Sequence, residues 1–208
     1  MVSCICPTYN RFPFYGKLLE EAVYWFTRQD YDGHKELIVL NDCPGQILKC
    51  DAPGVRVINL PEKIPSLGEK YNELLKLAKG EIILPWEDDD IALPHRISQC
   101  VRNLGEFQYY NPQRSWYEEG GRLHSDHGHG VCHNSSAFRA GLLTYPPVSG
   151  AQDAIADAWC KKNLTCSKVI LTNPMDWDYV YRWGVSNYHL SGFKDTEEAW
   201  KSKQRIIP

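Results

Sequence analysis

The chain has 208 residues, enough for one sizeable core and short for two, so a single domain is expected. Its composition, 43% hydrophobic, 12% aromatic and 24% charged, excludes a disordered chain. A formal net charge of -3 gives no footprint for non-specific nucleic-acid or anionic-membrane binding.

No apolar run approaches the roughly 20 residues that cross a bilayer. The start MVSCICPTYN lacks the basic then apolar layout of a secretory signal, so a soluble, cytoplasmic protein is expected. The eight cysteines are scattered and contain no C-x-x-C pair, which predicts reduced, mostly buried thiols.

Val2 to Cys6 is apolar and β-compatible and runs into Pro7-Thr8-Tyr9-Asn10, which predicts a buried strand followed by a polar loop. Lys17 to Arg28 carries apolar residues at helical spacing. Glu36 to Leu40 predicts a second strand, closed by Asn41-Asp42-Cys43-Pro44, and Val55 to Leu60 a third. Ser66-Leu67-Gly68-Glu69 has the form of a capping box, with an apolar stripe behind it and Gly80 at its end. Glu81 to Pro85 predicts a fourth strand. This order predicts an α/β fold with a mainly parallel sheet flanked by helices.

The second half is less regular. Phe107 to Trp116 holds aromatic strand-like pieces, and Glu118 to His133 is polar and glycine-rich. Short helices are expected over Ser136 to Leu143 and Ser149 to Lys162, and strands over Val169 to Leu171 and Tyr179 to Trp183.

Ligands of parallel α/β sheets bind outside the carboxyl ends of the strands. The polar clusters Thr8 to Arg11, Asn41-Asp42 and Glu87 to Asp90 all follow predicted strands, so they are expected to converge. Within L-P-W-E-D-D-D-I-A-L-P-H-R, four adjacent carboxylates repel one another, and in a cleft they need a compensating cation. Mg2+ or Mn2+ suits hard oxygen ligands with positions left for substrate phosphates. The alternative is a solvated acidic turn, with Asp90 capping a helix that starts near Pro94.

These blocks carry a resemblance. The ordered series V-S-C-I-C-P-T-Y-N-R, L-I-V-L-N-D, G-E-K-Y-N-E-L-L-K-L-A-K-G-E-I-I-L and W-E-D-D-D-I-A-L-P-H-R-I resembles glycosyltransferase family 2, whose members have the GT-A nucleotide-sugar fold. Later, Asn134 to Arg139 resembles the family's F-R segment and Gly150-Ala-Gln-Asp153 its acidic segment. The resemblance implies a single Rossmann-like GT-A domain, with a nucleotide-sugar half over 1–105 and a smaller acceptor half over 106–208. It implies a metal-dependent, inverting hexosyltransferase that uses Mn2+ or Mg2+, a UDP-linked sugar donor and a hydroxyl acceptor.

Residue by residue, it implies that Pro7, Thr8, Tyr9 and Arg11 line the nucleotide pocket and that Asp42 meets the base or ribose. Lys70 and Asn72 would lie beside the nucleotide or its phosphates. Asp88 would contact the ribose, and Asp89 would be the principal metal ligand, supported by Glu87 and Asp90. Glu87 stands where the family usually has Asp. Asp153 would be the general base, with Asp157 in reserve; Ser149 and Gln152 alternatively form a helix cap that leaves Asp153 only a helix-terminus role.

His189 would approach the metal or diphosphate. The histidines between His124 and His133 match no structural zinc spacing and are expected in a loop near the acceptor. Two other classes stay open on these residues: a nucleotidyltransferase acting on sugar phosphates, and a nucleotide-sugar-binding module without transfer activity.

Overall fold

The computed structural model describes residues 1–10, 16–119, 121–125 and 133–183. Its first strand, β1 (Val2–Thr8), is buried along its whole length. It pairs in parallel with β2 (Lys35–Asn41) on one side and β4 (Ile82–Pro85) on the other. A strand covered on both faces reads as a continuous apolar run, which is why V-S-C-I-C does not alternate in polarity. The third strand, β3 (Val55–Asn59), extends the parallel set beyond β2.

Side chains still alternate between the two faces. Cys4, Cys6, Leu37, Val39 and Leu84 enter one core cluster, while Ile5, Ile38, Leu40 and Ile83 enter the other. Helices α1 (Gly16–Thr27) and α3 (Arg96–Leu104) pack on the first face through Phe26, Ile97 and Leu104. Helices α2 (Leu67–Leu77) and α4 (Gln152–Asn163) pack on the second through Tyr71, Leu74, Ala156 and Cys160.

Two strands from the second half complete this sheet. Its order among the described residues is β3-β2-β1-β4-β9-β6, with β9 (Ala137–Arg139) antiparallel to both β4 and β6 (Tyr109–Tyr110). A second sheet has the order β5-β10-β7-β8, from β5 (Ile91–Ala92), β7 (Trp116–Glu119), β8 (Arg122–His124) and β10 (Tyr179–Trp183). Because β5 directly follows the acidic run, that run bridges the two sheets. No described helix is long and apolar enough to cross a membrane.

Two expectations fail. Ser136 to Leu143 is not a helix: Ala137, Phe138 and Arg139 form β9, because pairing with two strand edges outweighs a short local periodicity. Val169 to Leu171 is irregular, with Val169 and Ile170 about half exposed and the Leu171 carbonyl accepting from Trp177 Nε1 at 2.8 Å. The expected helix over Ser149 to Lys162 forms from Gln152 onward. Half of the expected capping box forms: Ser66 Oγ accepts the Glu69 N–H at 3.2 Å, and the Glu69 carboxylate accepts the Ser66 hydroxyl at 2.7 Å instead of its backbone N–H.

Candidate active site

The three polar clusters meet where the parallel strands end. Thr8 Oγ1, at the end of β1, donates to Asp88 Oδ2 at 2.6 Å. Lys70, buried on α2, donates through Nζ to the Thr8 carbonyl and to Asp42 Oδ1, both at 2.5 Å. The other Asp42 oxygen accepts the Ile64 N–H at 2.9 Å. One ammonium thus ties the ends of β1 and β2 together, and Thr8 carries the link to the acidic run after β4. Burial pulls the Lys70 pKa down, while the charges of Asp42 and Asp88 act in the opposite direction.

Pro7 lies inside β1 opposite Leu40 and is buried. Tyr9 is partly exposed at the mouth, with Lys63 Nζ 4.5 Å and Lys70 Nζ 5.9 Å from its ring centroid. Arg11 and His189 lie outside the described residues, as do His127 and His129.

Trp86 fixes the start of the acidic run, its N–H donating to the Ile5 carbonyl at 2.9 Å and its indole N–H to the Ala22 carbonyl at 3.2 Å. Arg96, fully buried behind it, donates to the carbonyls of Pro85 at 3.1 Å and Asn134 at 2.6 Å, and faces Asp178 at 3.5 Å. The four acids then take different partners. Glu87 accepts the Tyr71 hydroxyl, and Asp88 accepts Thr8.

Asp90 accepts the Tyr179 hydroxyl on Oδ2 and the Arg182 N–H on Oδ1 at 2.9 Å. Both its oxygens therefore anchor β10, and it is not a helix cap. The residue before α3 is His95, with no side-chain cap. Asp89 is buried to 6% exposure between these fixed neighbours.

Among the described residues, no three His, Cys, Asp or Glu side chains converge as a metal-holding group. Mg2+ or Mn2+ is commonly held by one or two carboxylates with substrate phosphates completing the shell, and Glu87 and Asp89 carry hard oxygen donors of that kind. The electrostatics fit as well. The Glu87 carboxyl, half-buried by surface area, is pushed well above the usual carboxylate range by desolvation and then by the charges of Asp89, Asp90 and Asp88. A cation beside Asp89 would relieve that repulsion, and Asp89 with Glu87 are the residues that would hold it.

Helix α2 also grips the 145–149 segment. Asn72 donates to the Tyr145 carbonyl at 2.9 Å and accepts the Tyr145 N–H at 2.8 Å, so its amide is engaged by main chain. The Leu67 N–H donates to Ser149 Oγ at 3.0 Å and the Gly68 N–H to the Val148 carbonyl at 3.1 Å. A Cβ on Gly68 would come within 1.8 Å of the Pro146 carbonyl oxygen. Gly68→Ala is therefore expected to displace the 146–148 loop and cost about 1–3 kcal/mol, read as a lower midpoint in urea unfolding.

Ser149 is thus used at α2 and does not cap α4, whose N-cap position is Ala151 without a side-chain bond. Gln152 Oε1 accepts the Gly150 N–H at 2.8 Å. The Ser149–Gln152 cap is not formed, while Asp153 does take the helix-terminus position that this alternative gives it. Asp153 stands partly exposed in the first turn of α4 and accepts its neighbour Ala154 N–H at 2.8 Å. Burial and then Glu87 push the Tyr71 hydroxyl well above its ordinary value, and the charge of Asp153 adds a smaller push in the same direction.

Asp157, one turn on, is buried and committed: it accepts the Tyr109 hydroxyl at 2.6 Å and Asn111 Nδ2 at 3.0 Å, and pairs with Lys161 at 2.7 Å. His133, expected in a loop near the acceptor, is instead buried between Tyr109 and Tyr145. Tyr109 and Tyr145 escape a sequence reading because each looks like an ordinary core residue, while Tyr71 and Arg96 lie inside the quoted blocks with no role assigned and His133 ends the histidine run.

A model of the glycosyl transferase family 2 matches residues 3–147, well over half of the chain. The chain belongs to glycosyltransferase family 2, and its fold is the GT-A fold. No curated protein sequence matches it. Solved structures share the fold at low identity. TarS residues 1–349 from S. aureus, in complex with UDP-GlcNAc, is 18% identical with a TM-score of 0.68, over 88% of this chain and 58% of that one. The mannosyltransferase PcManGT from Pyrobaculum calidifontis, in complex with GDP-Man and Mn2+, is 17% identical with a TM-score of 0.59, over 88% of this chain and 56% of that one. The chain thus spans under two thirds of the length of these structures.

Proposed function

We propose that the chain is a metal-dependent, inverting glycosyltransferase that moves a sugar from a UDP-linked donor to a hydroxyl acceptor. The observation that carries this is the convergence of Thr8, Asp42, Lys70 and Asp88 at the strand ends, with Asp89 next in the chain to Asp88 and buried. The family membership supports the reaction class. UDP-GlcNAc in TarS supports a UDP-linked donor, and Mn2+ in PcManGT supports a divalent ion.

In this reading Pro7, Thr8, Tyr9 and Arg11 line the nucleotide pocket, Asp42 meets the base or ribose, and Lys70 holds the pocket wall in place. Asp88 contacts the ribose. Asp89, supported by Glu87 and Asp90, would hold Mn2+ or Mg2+, with His189 as a further contact. The bound ion would supply Lewis-acid stabilisation to the departing diphosphate. Asp153 takes the proton of the acceptor hydroxyl as its oxygen bonds to the anomeric carbon. The bond from that carbon to the diphosphate oxygen breaks, and the electron pair leaves with UDP. Attack from the face opposite the leaving group inverts the anomeric configuration.

The test is a panel of nucleotide sugars with Mn2+, Mg2+ or neither, scored by thermal stabilisation and by release of nucleoside diphosphate. A UDP-linked sugar is expected to stabilise the fold and release UDP only with metal. Silence towards every donor with both metals sinks the proposal, and stabilisation without release points to a binding module.

A further inference from the structure

The core beneath α4 is more polar than packing alone requires. Tyr145, His133, Tyr109 and Asn111 are at most 3% exposed and Asp157 is 8% exposed, within or beside a cluster otherwise built from Leu74, Phe138, Leu143 and Ala156. Apolar side chains of similar volume would fill that space at equal or better stability. A polar network does something else when every member is satisfied: it fixes one arrangement of the groups it joins.

The bonds here run in one direction. Tyr109 donates to Asp157 Oδ1 at 2.6 Å, which leaves the Tyr109 oxygen to accept from His133 Nδ1 at 3.1 Å. His133 Nε2 then accepts the Tyr145 hydroxyl at 2.8 Å. Burial keeps this imidazole neutral, its pKa pushed down to about 4, as a relay with one donor and one acceptor requires. Asn111 adds a second bond to Asp157, and Lys161 compensates its charge at 2.7 Å.

At the other end the Tyr145 main chain is gripped by Asn72 of α2, and the Tyr145 ring stacks on Tyr71 with centroids 4.6 Å apart. Helix α2 also carries Lys70, which ties down the donor-side strand ends. Helix α4 carries Asp153.

We propose that Asn72 and Asp157 are positioning residues, the two ends of a brace through Tyr145, His133 and Tyr109 that sets where α4, and with it Asp153, stands relative to the donor pocket. The assignment rests on the reading of Asp153 as general base. It removes Asn72 from contact with the nucleotide and Asp157 from the role of reserve base. An ångström of misplacement in a reacting group lowers rates by as much as about a hundredfold, so a brace of this kind acts on turnover and not on donor affinity.

The test uses Tyr145→Phe, Tyr109→Phe and the double variant, which keep each ring and remove one hydroxyl from the chain of bonds. Amide hydrogen exchange in α4 is expected to rise about tenfold in either single variant and no further in the double, because both break the same connection. The affinity for UDP with Mn2+ stays within about twofold of the parent, and kcat for release of UDP from UDP-GlcNAc falls about tenfold at unchanged KM. Unchanged α4 exchange, or additive losses in the double variant, overturns the brace. Faster exchange with unchanged kcat, or a rise in KM with kcat preserved, overturns its positioning role. If the parent releases UDP from no UDP-linked sugar, the functional reading falls, and the exchange measurement alone decides whether the brace exists.

Discussion

Asp89→Ala is expected to abolish metal-dependent binding of UDP while the protein stays folded. Asp89 is buried to 6% exposure among acids already fixed by Tyr71, Thr8 and the end of β10. Its charge is the first-ranked electrostatic reason, after burial, for the raised pKa of Glu87. Removing it relaxes the like-charge repulsion on Glu87, and the fold is expected to survive. With the ligand goes the stabilisation of the leaving diphosphate, and transfer falls by at least about a thousandfold. Calorimetric titration of UDP with and without Mn2+, beside a thermal melt of each protein, reads both halves. Mn2+-dependent UDP binding equal to that of the parent would remove Asp89 from the metal site.

Asp153→Asn separates transfer from donor binding. The amide is isosteric, and Asp153 makes no buried salt bridge among those of the described residues, so folding and UDP affinity are expected to match the parent. The acceptor proton then has no base, and kcat drops by about 10² to 10⁴. Because proton abstraction is lost and not merely misdirected, the drop should exceed that of either hydroxyl deletion in the brace. Parent-like transfer by this variant would mean that another group takes the proton.

The parallel half of the sheet could be read from sequence because β1, β2 and β4 are covered on both faces and their apolar runs end in turn-forming polar clusters. The convergence of those ends then followed from topology alone, and Thr8, Asp42, Lys70 and Asp88 meet as that topology requires. The second half resisted because its elements depend on distant partners. Ala137 to Arg139 is a strand only because two strand edges lie within reach, and Ser149 is drawn away from α4 by the N-terminus of α2. Nothing local to Asn72 or His133 reveals that each bonds to Tyr145, 73 and 12 positions away. Adjacent carboxylates present the same limit: Glu87, Asp88 and Asp90 look alike in the chain and differ only in what meets them.

The bonds of Asp90 have a mechanical consequence. Tyr179 and Arg182 both reach it from β10, so a slip of that strand by one residue would break both contacts and turn its side chains to the opposite face. Asp88, two residues earlier, is fastened to β1 of the other sheet. The step from Asp88 to Asp90 is therefore one joint between the two sheets, beside the one that Arg96 makes between Pro85 and Asp178, and Asp89 sits on its pivot. A rotation of one sheet against the other would strain that joint, which ties the setting of the proposed metal ligand to the relative set of the two halves.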